Sequence, residues 1–197
     1  MTTNSLSFLT LWTYNFHMEK KDYRVTPLEV TPKTSEEMLT RAFDDDILSR
    51  MERVIETEGP VRESLLFKRV LNSYDLFKNG SRLNGLLVSL TERLNAPVTT
   101  DRDGEKVYHT GKSEDYFRPT PLSEDRYSYQ IPHAEAAACI LYILENGNKN
   151  SYRKNELYRL FIAEMGYLKS GDQIRTLFDG ALADQRIRIS GNGRIMK

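Results

Sequence analysis

The sequence predicts a mostly α-helical fold with small β-hairpins, of the α+β class, arranged as tandem winged helix-turn-helix units. The first observation behind this prediction is an ungapped internal repeat at a distance of about 91 residues: residues 66–68 resemble residues 157–159, and residues 76–80 resemble residues 167–171. The second observation is that each copy has three segments with helical spacing of apolar residues, followed by a short alternating segment centred on glycine. A repeat with the same order of elements indicates duplication of one folding unit.

The repeat divides the chain into four parts. In the N-terminal part, apolar side chains alternate with polar ones between Leu6 and Phe16. This spacing predicts an aromatic-faced strand, which either docks on the body of this protein or offers its edge to another chain. The four predicted parts are an extension over residues 1–44, a winged-helix unit over 45–110, an ordered strap over 111–132 and a second winged-helix unit over 133–197.

The first unit contains three predicted helices and a hairpin. Its first helix opens with Asp44, Asp45 and Asp46, carboxylates that suit a helix N-terminus, and ends at Gly59-Pro60. Asn79-Gly80 marks the start of the third helix, and a hairpin is expected around Asp103-Gly104. The predicted buried stripes of the three helices are Ile47, Leu48, Met51, Val54 and Ile55, then Leu66, Val70, Leu71 and Tyr74, and then Leu83, Leu87, Leu90 and Leu94.

The second unit repeats this order. Gly166 is predicted at the C′ position of its second helix, Ser170 as the cap of its third helix, and a hairpin around Gly191-Asn192-Gly193. Cys139 lies among alanines and apolar residues of the first helix, so we expect an inert, buried thiol. The predicted helices span residues 134–147, 156–166 and 172–184.

The strap combines prolines with aromatic residues. Prolines lack the backbone N–H group, so we expect no regular structure in this segment. A flexible linker does not require large aromatic side chains. The density of aromatic residues therefore indicates that the strap packs on one or both units. The prolines are Pro119, Pro121 and Pro132, and the rings are those of Tyr116, Phe117, Tyr127 and Tyr129.

The composition excludes several classes of protein. Lysine plus arginine equals aspartate plus glutamate at 28 each, so no net charge draws the chain to nucleic acid or anionic lipid, and any such surface must come from local clusters. A single cysteine precludes an intrachain disulfide. Residues 1–16 lack the basic region of a signal peptide and are too interrupted by polar residues to span a bilayer. We therefore expect a cytoplasmic protein without membrane contact.

Five motifs carry a resemblance to a known family: IETEGPV, FKNGSRL, DYFRP, YSYQIPHAE and YLKSGDQIR. Over about residues 23–197, the chain resembles a domain of unknown function found at the C-terminal end of large bacterial superfamily-one helicases. Those proteins also contain a nuclease-like domain. The resemblance implies a winged-helix-like accessory module with a helicase or nuclease as partner. The chain has no Gly-x-x-x-x-Gly-Lys-Ser/Thr phosphate loop, so neither ATPase nor nuclease activity carries over. It is either a stand-alone homologue or part of a longer protein.

The sequence contains no pattern typical of catalysis or metal binding. The three histidines are far apart and outside any Cys/His ligand spacing. Asp44-Asp45-Asp46 and Asp101-x-Asp103 have residue types that suit Mg²⁺, yet a helix start and a hairpin turn explain them without a metal. We therefore expect no enzyme activity, no cofactor and no metal site.

Local clusters of polar and basic residues point to binding. A helix-turn-helix unit presents its third helix to the major groove of DNA and its wing to the backbone. The third helix of the second unit presents Asp172 and Asp179, which oppose a phosphate backbone. The predicted nucleic-acid-binding residues are therefore Lys78, Asn79, Ser81, Arg82 and Asn84 at the start of the first recognition helix, and Arg186, Arg188 and Arg194 in the second wing.

Two functions remain open on this basis. The chain is either a non-enzymatic, DNA-binding accessory module of a helicase/nuclease-type system, with duplex DNA as its ligand, or a protein-interaction or oligomerisation module that binds no DNA. Neutral charge and the acidic second recognition helix favour the interaction module, whereas the predicted fold and the family resemblance favour DNA binding. The interaction hypothesis expects Val88 or the face around Trp12 to contact another chain.

Overall fold

The computed structural model describes residues 17–120 and 126–197. Over these residues the protein has a mixed α/β fold of seven α-helices and small sheets. The strand predicted between Leu6 and Phe16 lies outside the described residues. In chain order the elements are β1 (Glu19–Lys20), α1 (Ser35–Leu39), α2 (Asp44–Glu58), β2 (Val61–Arg62), α3 (Glu63–Asn72), α4 (Ser81–Thr91), β3 (Val98–Thr100), β4 (Lys106–Tyr108), β5 (Tyr116–Phe117), a 3-10 helix (Ser128–Gln130), α5 (His133–Asn146), β6 (Tyr152–Arg153), α6 (Lys154–Glu164), α7 (Asp172–Ala181), β7 (Arg188–Ile189) and β8 (Arg194–Met196).

The helices α2, α3 and α4 form one core, as their apolar stripes predict. Met51 and Val54 of α2, Leu66 of α3 and Leu87 of α4 are completely buried. Each such side chain contributes about 1.5–3 kcal/mol when it leaves water, so these stripes supply much of the driving force for folding. Leu94 was predicted as part of the third stripe, but it follows the end of α4 and is only partly buried.

The helices α5, α6 and α7 form a second core. Cys139 of α5 is fully buried, and burial raises the pKa of its thiol well above the usual value, as expected for an inert cysteine. Gly166 follows α6 with a φ of 76°, which confirms its predicted role at the helix end. The predicted cap at Ser170 is wrong: α7 begins after Gly171, and no side chain caps its first turn.

A three-stranded antiparallel sheet accompanies each set of three helices. The two predicted hairpins are confirmed, with Thr99 of β3 opposite Val107 of β4 and Ile189 of β7 opposite Ile195 of β8. The third strand of each sheet is the two-residue segment that precedes the second helix of the set, so β2 pairs with β4 and β6 pairs with β8. The two sheets therefore have the same order, β2-β4-β3 and β6-β8-β7.

The prediction that the strap has no regular structure is wrong, because its described part contains β5 and the 3-10 helix, both at positions away from its prolines. Its β5 pairs in parallel with β1, and Phe117 is fully buried while Tyr116 is partly buried. Tyr127 and Tyr129 are each 47% exposed and stack on one another with ring centroids 5.5 Å apart. The rings of Phe117 and, in part, Tyr116 are therefore packed against the protein, whereas those of Tyr127 and Tyr129 are exposed. Residues 121–125 lie outside the described part of the chain.

The segment before α2 is ordered through backbone contacts with the first core. The amides of Thr31 and Lys33 donate to the carbonyl oxygens of Ser73 and Tyr74 at 2.8 and 3.0 Å. The short helix α1 begins with a capping box, in which Thr34 and the residue three positions later exchange hydrogen bonds. Over the part of the chain that the structure describes, no helix is long and apolar enough to cross a membrane.

Candidate nucleic-acid interface

The N-terminal end of α4 gathers five of the eight predicted binding residues. Lys78, Asn79, Ser81, Arg82 and Asn84 are all exposed there. The helix begins after a glycine, and no side chain caps its first turn. The backbone N–H groups of that turn therefore keep their donor capacity, and the partial positive charge of a helix N-terminus adds to the charges of the lysine and the arginine. This end of α4 is suited to an anionic ligand.

Contacts around these five residues are few. The Asn79 side-chain amide donates to Oδ1 of Asn84 at 2.8 Å, which links the turn to the helix. Arg82 lies 3.3 Å from Glu36, but their side chains are 70% and 76% exposed, so this ion pair is worth little and leaves the guanidinium available. Within the described residues, the side chain of Lys78 forms no hydrogen bond or ion pair.

The three predicted arginines of the second wing have different environments. Arg186 donates from Nε and Nη2 to the carboxylate of Asp184, both at 2.9 Å, and this bond raises its pKa. Arg194 donates to the hydroxyl and the carbonyl oxygen of Ser151 at 2.7 and 2.9 Å. Arg188 is exposed and forms no ion pair or side-chain hydrogen bond in the described part of the chain. In the second wing, Arg188 is therefore the arginine available to a ligand. No hydrogen bond or ion pair among the described residues joins the second wing to the start of α4.

The hairpin of β3 and β4 docks on the second set of helices. Asp101 accepts hydrogen bonds from the backbone amide and from Nδ1 of His133, at 3.1 and 2.7 Å, at the first residue of α5. Burial alone would raise the pKa of Asp101, but the bonds from His133 lower it. Arg102 donates to the carbonyl oxygen of Ala183, and Arg62 pairs with Asp103. The tip of this hairpin is therefore engaged within the protein, whereas its strand β3 is exposed.

The structure also gives other roles to the two groups of aspartates whose residue types suit Mg²⁺. Asp44, Asp45 and Asp46 occupy the first turn of α2, and the carboxylates of the first hairpin pair with arginine and histidine. In residues 17–120 and 126–197, no group of three or more histidine, cysteine, aspartate or glutamate side chains is arranged to hold a metal ion.

A buried ionic cluster, which we call the joint, links the two sets of helices and was missed by sequence reasoning. Arg118 of the strap donates to Glu135 of α5 at 2.8 Å and to the carbonyl oxygens of residues 58–60, at the end of α2. Arg126 donates to both oxygens of Glu135 at 2.9 and 3.0 Å. The ring of Tyr23 lies 4.2 Å from the guanidinium carbon of Arg126. Three of the five family-like motifs, IETEGPV, DYFRP and YSYQIPHAE, therefore meet in the joint.

The turn before each third helix carries an exposed apolar side chain. Phe77 precedes α4 and Leu168 precedes α7, at matching positions of the internal repeat, and both are 77% exposed. Val88, in contrast, is partly buried against the first core. Trp12 lies outside the described residues. The two turns are thus the places where the described chain presents a large apolar group beside a lysine, Lys78 or Lys169.

Comparison with known proteins gives one partial match. Residues 37–84, about a quarter of the chain, match the model of a family described as "Protein of unknown function (DUF3320)". The matched segment runs from within α1 to the first turn of α4 and includes the five clustered residues at the start of α4. No curated protein and no solved structure matches the chain.

Proposed function

We propose that this protein is a non-enzymatic, nucleic-acid-binding accessory module that contacts duplex DNA through the N-terminal end of α4. The observation that carries the proposal is the cluster of five exposed polar or basic side chains around an uncapped helix start, with no acidic residue among the five. Phosphate oxygens satisfy both the free N–H groups and the two cations. Arg188 adds a third cation from the second wing, whereas Arg186 and Arg194 are already bonded to Asp184 and Ser151.

The order of elements supports an interpretation of both units as winged helices. Each set runs helix, short strand, helix, helix and hairpin, and the short strand pairs with the second strand of the hairpin. In helix-turn-helix proteins the third helix of such a unit enters the major groove and the hairpin approaches the backbone. Because the first hairpin is docked on the second unit, α4 and the second wing are the elements proposed for DNA contact.

The proposed setting is a helicase- or nuclease-type system. This part of the proposal is supported by the resemblance of the five motifs to the helicase-associated domain. A partner of this kind would supply the catalytic activity that the chain is not expected to have. The joint would then keep the two units in one arrangement beside that partner, because Arg118 of the strap bonds both to Glu135 of the second unit and to the carbonyl oxygens of residues 58–60 of the first unit.

Charge reversal at Arg82 tests the proposal. We expect Arg82→Glu to weaken binding to every duplex sequence by about tenfold or more at low salt, because a phosphate contact positions the protein without specifying bases. Arg93→Glu is the matched control, since Arg93 is exposed just beyond the other end of the same helix. If the two variants change DNA affinity equally, the N-terminal end of α4 is not the binding site.

Interaction with another protein is the second candidate function, favoured by Phe77 and Leu168. Two large apolar side chains exposed at matching positions are the kind of group that anchors a protein interface. If they hold a second copy of the chain, the double variant Phe77→Asp, Leu168→Asp lowers the solution mass and leaves the helical content unchanged. A monomeric wild type in light scattering contradicts self-association through these turns.

A further inference from the structure

The strap borders an open cavity of about 200 Å³ at the place where the two units meet, which we call the strap pocket. Tyr129 of the strap lines it, the first hairpin contributes Asp103, and α7 contributes Asp172, Gln173 and Leu177. Drug-sized ligands usually occupy cavities of about 300–1,000 Å³. The strap pocket therefore has room for one small group, such as a single side chain.

An aromatic ring in the strap pocket is accessible to a ligand. Tyr129 is half-exposed and stacks on Tyr127, and of these two rings only that of Tyr129 lines the pocket. The Nζ atom of Lys68 lies 5.1 Å from the centroid of the Tyr127 ring. The stack thus already attracts one cation from within the protein, as the electron-rich faces of aromatic rings do. Tyr129 offers a second ring of the same kind to a cation from outside.

Carboxylates outnumber cations around the strap pocket. Arg62 lines the pocket, but it forms ion pairs with three carboxylates, those of Asp101, Asp103 and Glu105. Burial alone would raise the pKa of Asp103, but the hydrogen bond from Arg62 lowers it, so this carboxylate is charged at neutral pH. His133 also lines the pocket and is paired with Asp101. The excess charge of this group is negative even when His133 is protonated.

Asp172 is the carboxylate available to a ligand. It is exposed, and within the described residues its side chain forms no hydrogen bond or ion pair. The side-chain amide of Gln173 is also exposed and has no hydrogen bond in that part of the chain. The start of α7 adds about half an elementary positive charge, which is less than the full negative charge of Asp172. The potential in the strap pocket is therefore negative and favours a cation.

The matching helix start in the first unit has the opposite charge. Ser81 and Arg82 of α4 stand where the repeat has Asp172 and Gln173. The start of α4 is the surface proposed above for DNA phosphates. The two copies of this helix start are thus suited to ligands of opposite charge.

We propose that the strap pocket binds the guanidinium group of an arginine from a basic segment of a partner protein. The planar group stacks on the ring of Tyr129, pairs with the carboxylate of Asp172 and donates to the side-chain oxygen of Gln173. Arginine fits better than lysine, because a flat guanidinium both stacks on a ring and pairs with a carboxylate through two hydrogen bonds. Asp172 repels the phosphates of nucleic acid, so charge complementarity selects a basic protein as the occupant. This proposal goes beyond the proposed function and does not depend on DNA binding at α4.

Blocked arginine, N-acetyl-arginine amide, tests the strap pocket in an NMR titration of the isotopically labelled full chain at low salt. We expect shifts at Tyr129 and at the start of α7 with a dissociation constant of about 1–10 mM, because one charge-assisted pair and one ring contact act on a small ligand. Blocked citrulline has nearly the same shape without the charge, and we expect it to bind at least about tenfold more weakly. Blocked lysine is expected to bind at least about threefold more weakly.

Variants assign the binding to the proposed side chains. Asp172→Asn is expected to weaken the binding of blocked arginine about tenfold and Tyr129→Leu about threefold, whereas Tyr129→Phe keeps the aromatic face and the wild-type affinity. The difference between leucine and phenylalanine separates a ring that contacts the cation from a side chain that only fills space. Asp179→Asn is the matched control and leaves the affinity unchanged, because Asp179 is exposed on the same helix, outside the pocket, and is paired with Lys154.

Circular dichroism checks that each variant keeps its helical content, and Asp172→Asn keeps the proposal falsifiable if Tyr129→Leu does not fold. The proposal is overturned if blocked arginine causes no shifts in the strap pocket up to about 50 mM, or if Asp172→Asn binds it as Asp179→Asn does. Blocked citrulline or blocked lysine that binds as tightly as blocked arginine also overturns it, because the pocket then does not recognise a guanidinium. A single-stranded oligonucleotide that shifts the same signals when blocked arginine does not would assign the pocket to nucleic acid instead. The effect of Arg82→Glu on duplex binding is measured independently of all these results.

Discussion

Glu135 is the residue on which the joint depends. Its carboxylate is fully buried and accepts hydrogen bonds from Arg118 and Arg126. Burial alone would raise the pKa of Glu135, but the charges of the two arginines outweigh burial and lower the pKa to about 2. The sequence does not reveal this cluster, because isolated glutamates and arginines are usually at the surface. Their burial arises only when segments distant in the sequence come together.

We expect Glu135→Gln to destabilise the protein by about 3–5 kcal/mol at neutral pH, because two buried arginines lose their counter-charge. The pKa of Glu135 is about 2 in the folded protein and near 4.5 in an unfolded chain. Its contribution to stability is therefore complete above pH 4.5 and disappears as the pH falls towards 2. Denaturant unfolding at pH 7 and pH 3 measures this contribution as a gap between wild type and variant that narrows at the lower pH.

Glu36→Gln is the control for this prediction, because Glu36 is exposed and its ion pair with Arg82 is weak. A constant gap in unfolding free energy between Glu135→Gln and the wild type from pH 7 to pH 3, or no gap at all, contradicts the assigned role of Glu135.

The third helices α4 and α7 differ in what surrounds their glycines. A Cβ atom at Gly180 of α7 would lie 2.2 Å from the ring of His133, whereas a Cβ atom at Gly85 of α4 would meet no atom within 4 Å. We expect Gly180→Ala to destabilise by about 1–3 kcal/mol through overpacking, and Gly85→Ala to stabilise by about 0.5–1 kcal/mol through helix propensity. Thermal unfolding of both variants measures the difference. Similar shifts in melting temperature for both variants would falsify the predicted crowding around His133.

At the scale of elements, the sequence predicted the helices and hairpins that a periodic pattern of apolar residues or a glycine turn marks. The helices α2 to α7 and both hairpins follow from apolar spacing and glycine turns. The strands β2 and β6 were not predicted, because two residues cannot show an alternating pattern. The start of α7 was predicted with the wrong cap, since Ser170 and Gly171 are adjacent and both suit a helix start.

At the scale of the whole molecule, the repeat was visible in the sequence but the contact between its copies was not. The first hairpin docks on α5 through Asp101 and His133, and the joint fixes the strap between the two cores. These contacts pair single polar residues that are far apart in the chain, and no periodicity marks them. They bear on the candidate site because they hold the tip of the first hairpin against the second unit, and the proposed DNA contact is therefore placed on α4 and Arg188.

The salt dependence of duplex-DNA affinity tests the proposed function most directly. Lys78, Arg82 and Arg188 are the cations proposed to contact phosphates, and each neutralised phosphate contributes about −0.9 to the slope of log affinity against log salt concentration. For the wild-type protein we therefore expect a slope of about −3, which becomes shallower in Arg82→Glu. A slope near zero, or a dissociation constant above about 1 mM at low salt, contradicts DNA binding by this protein.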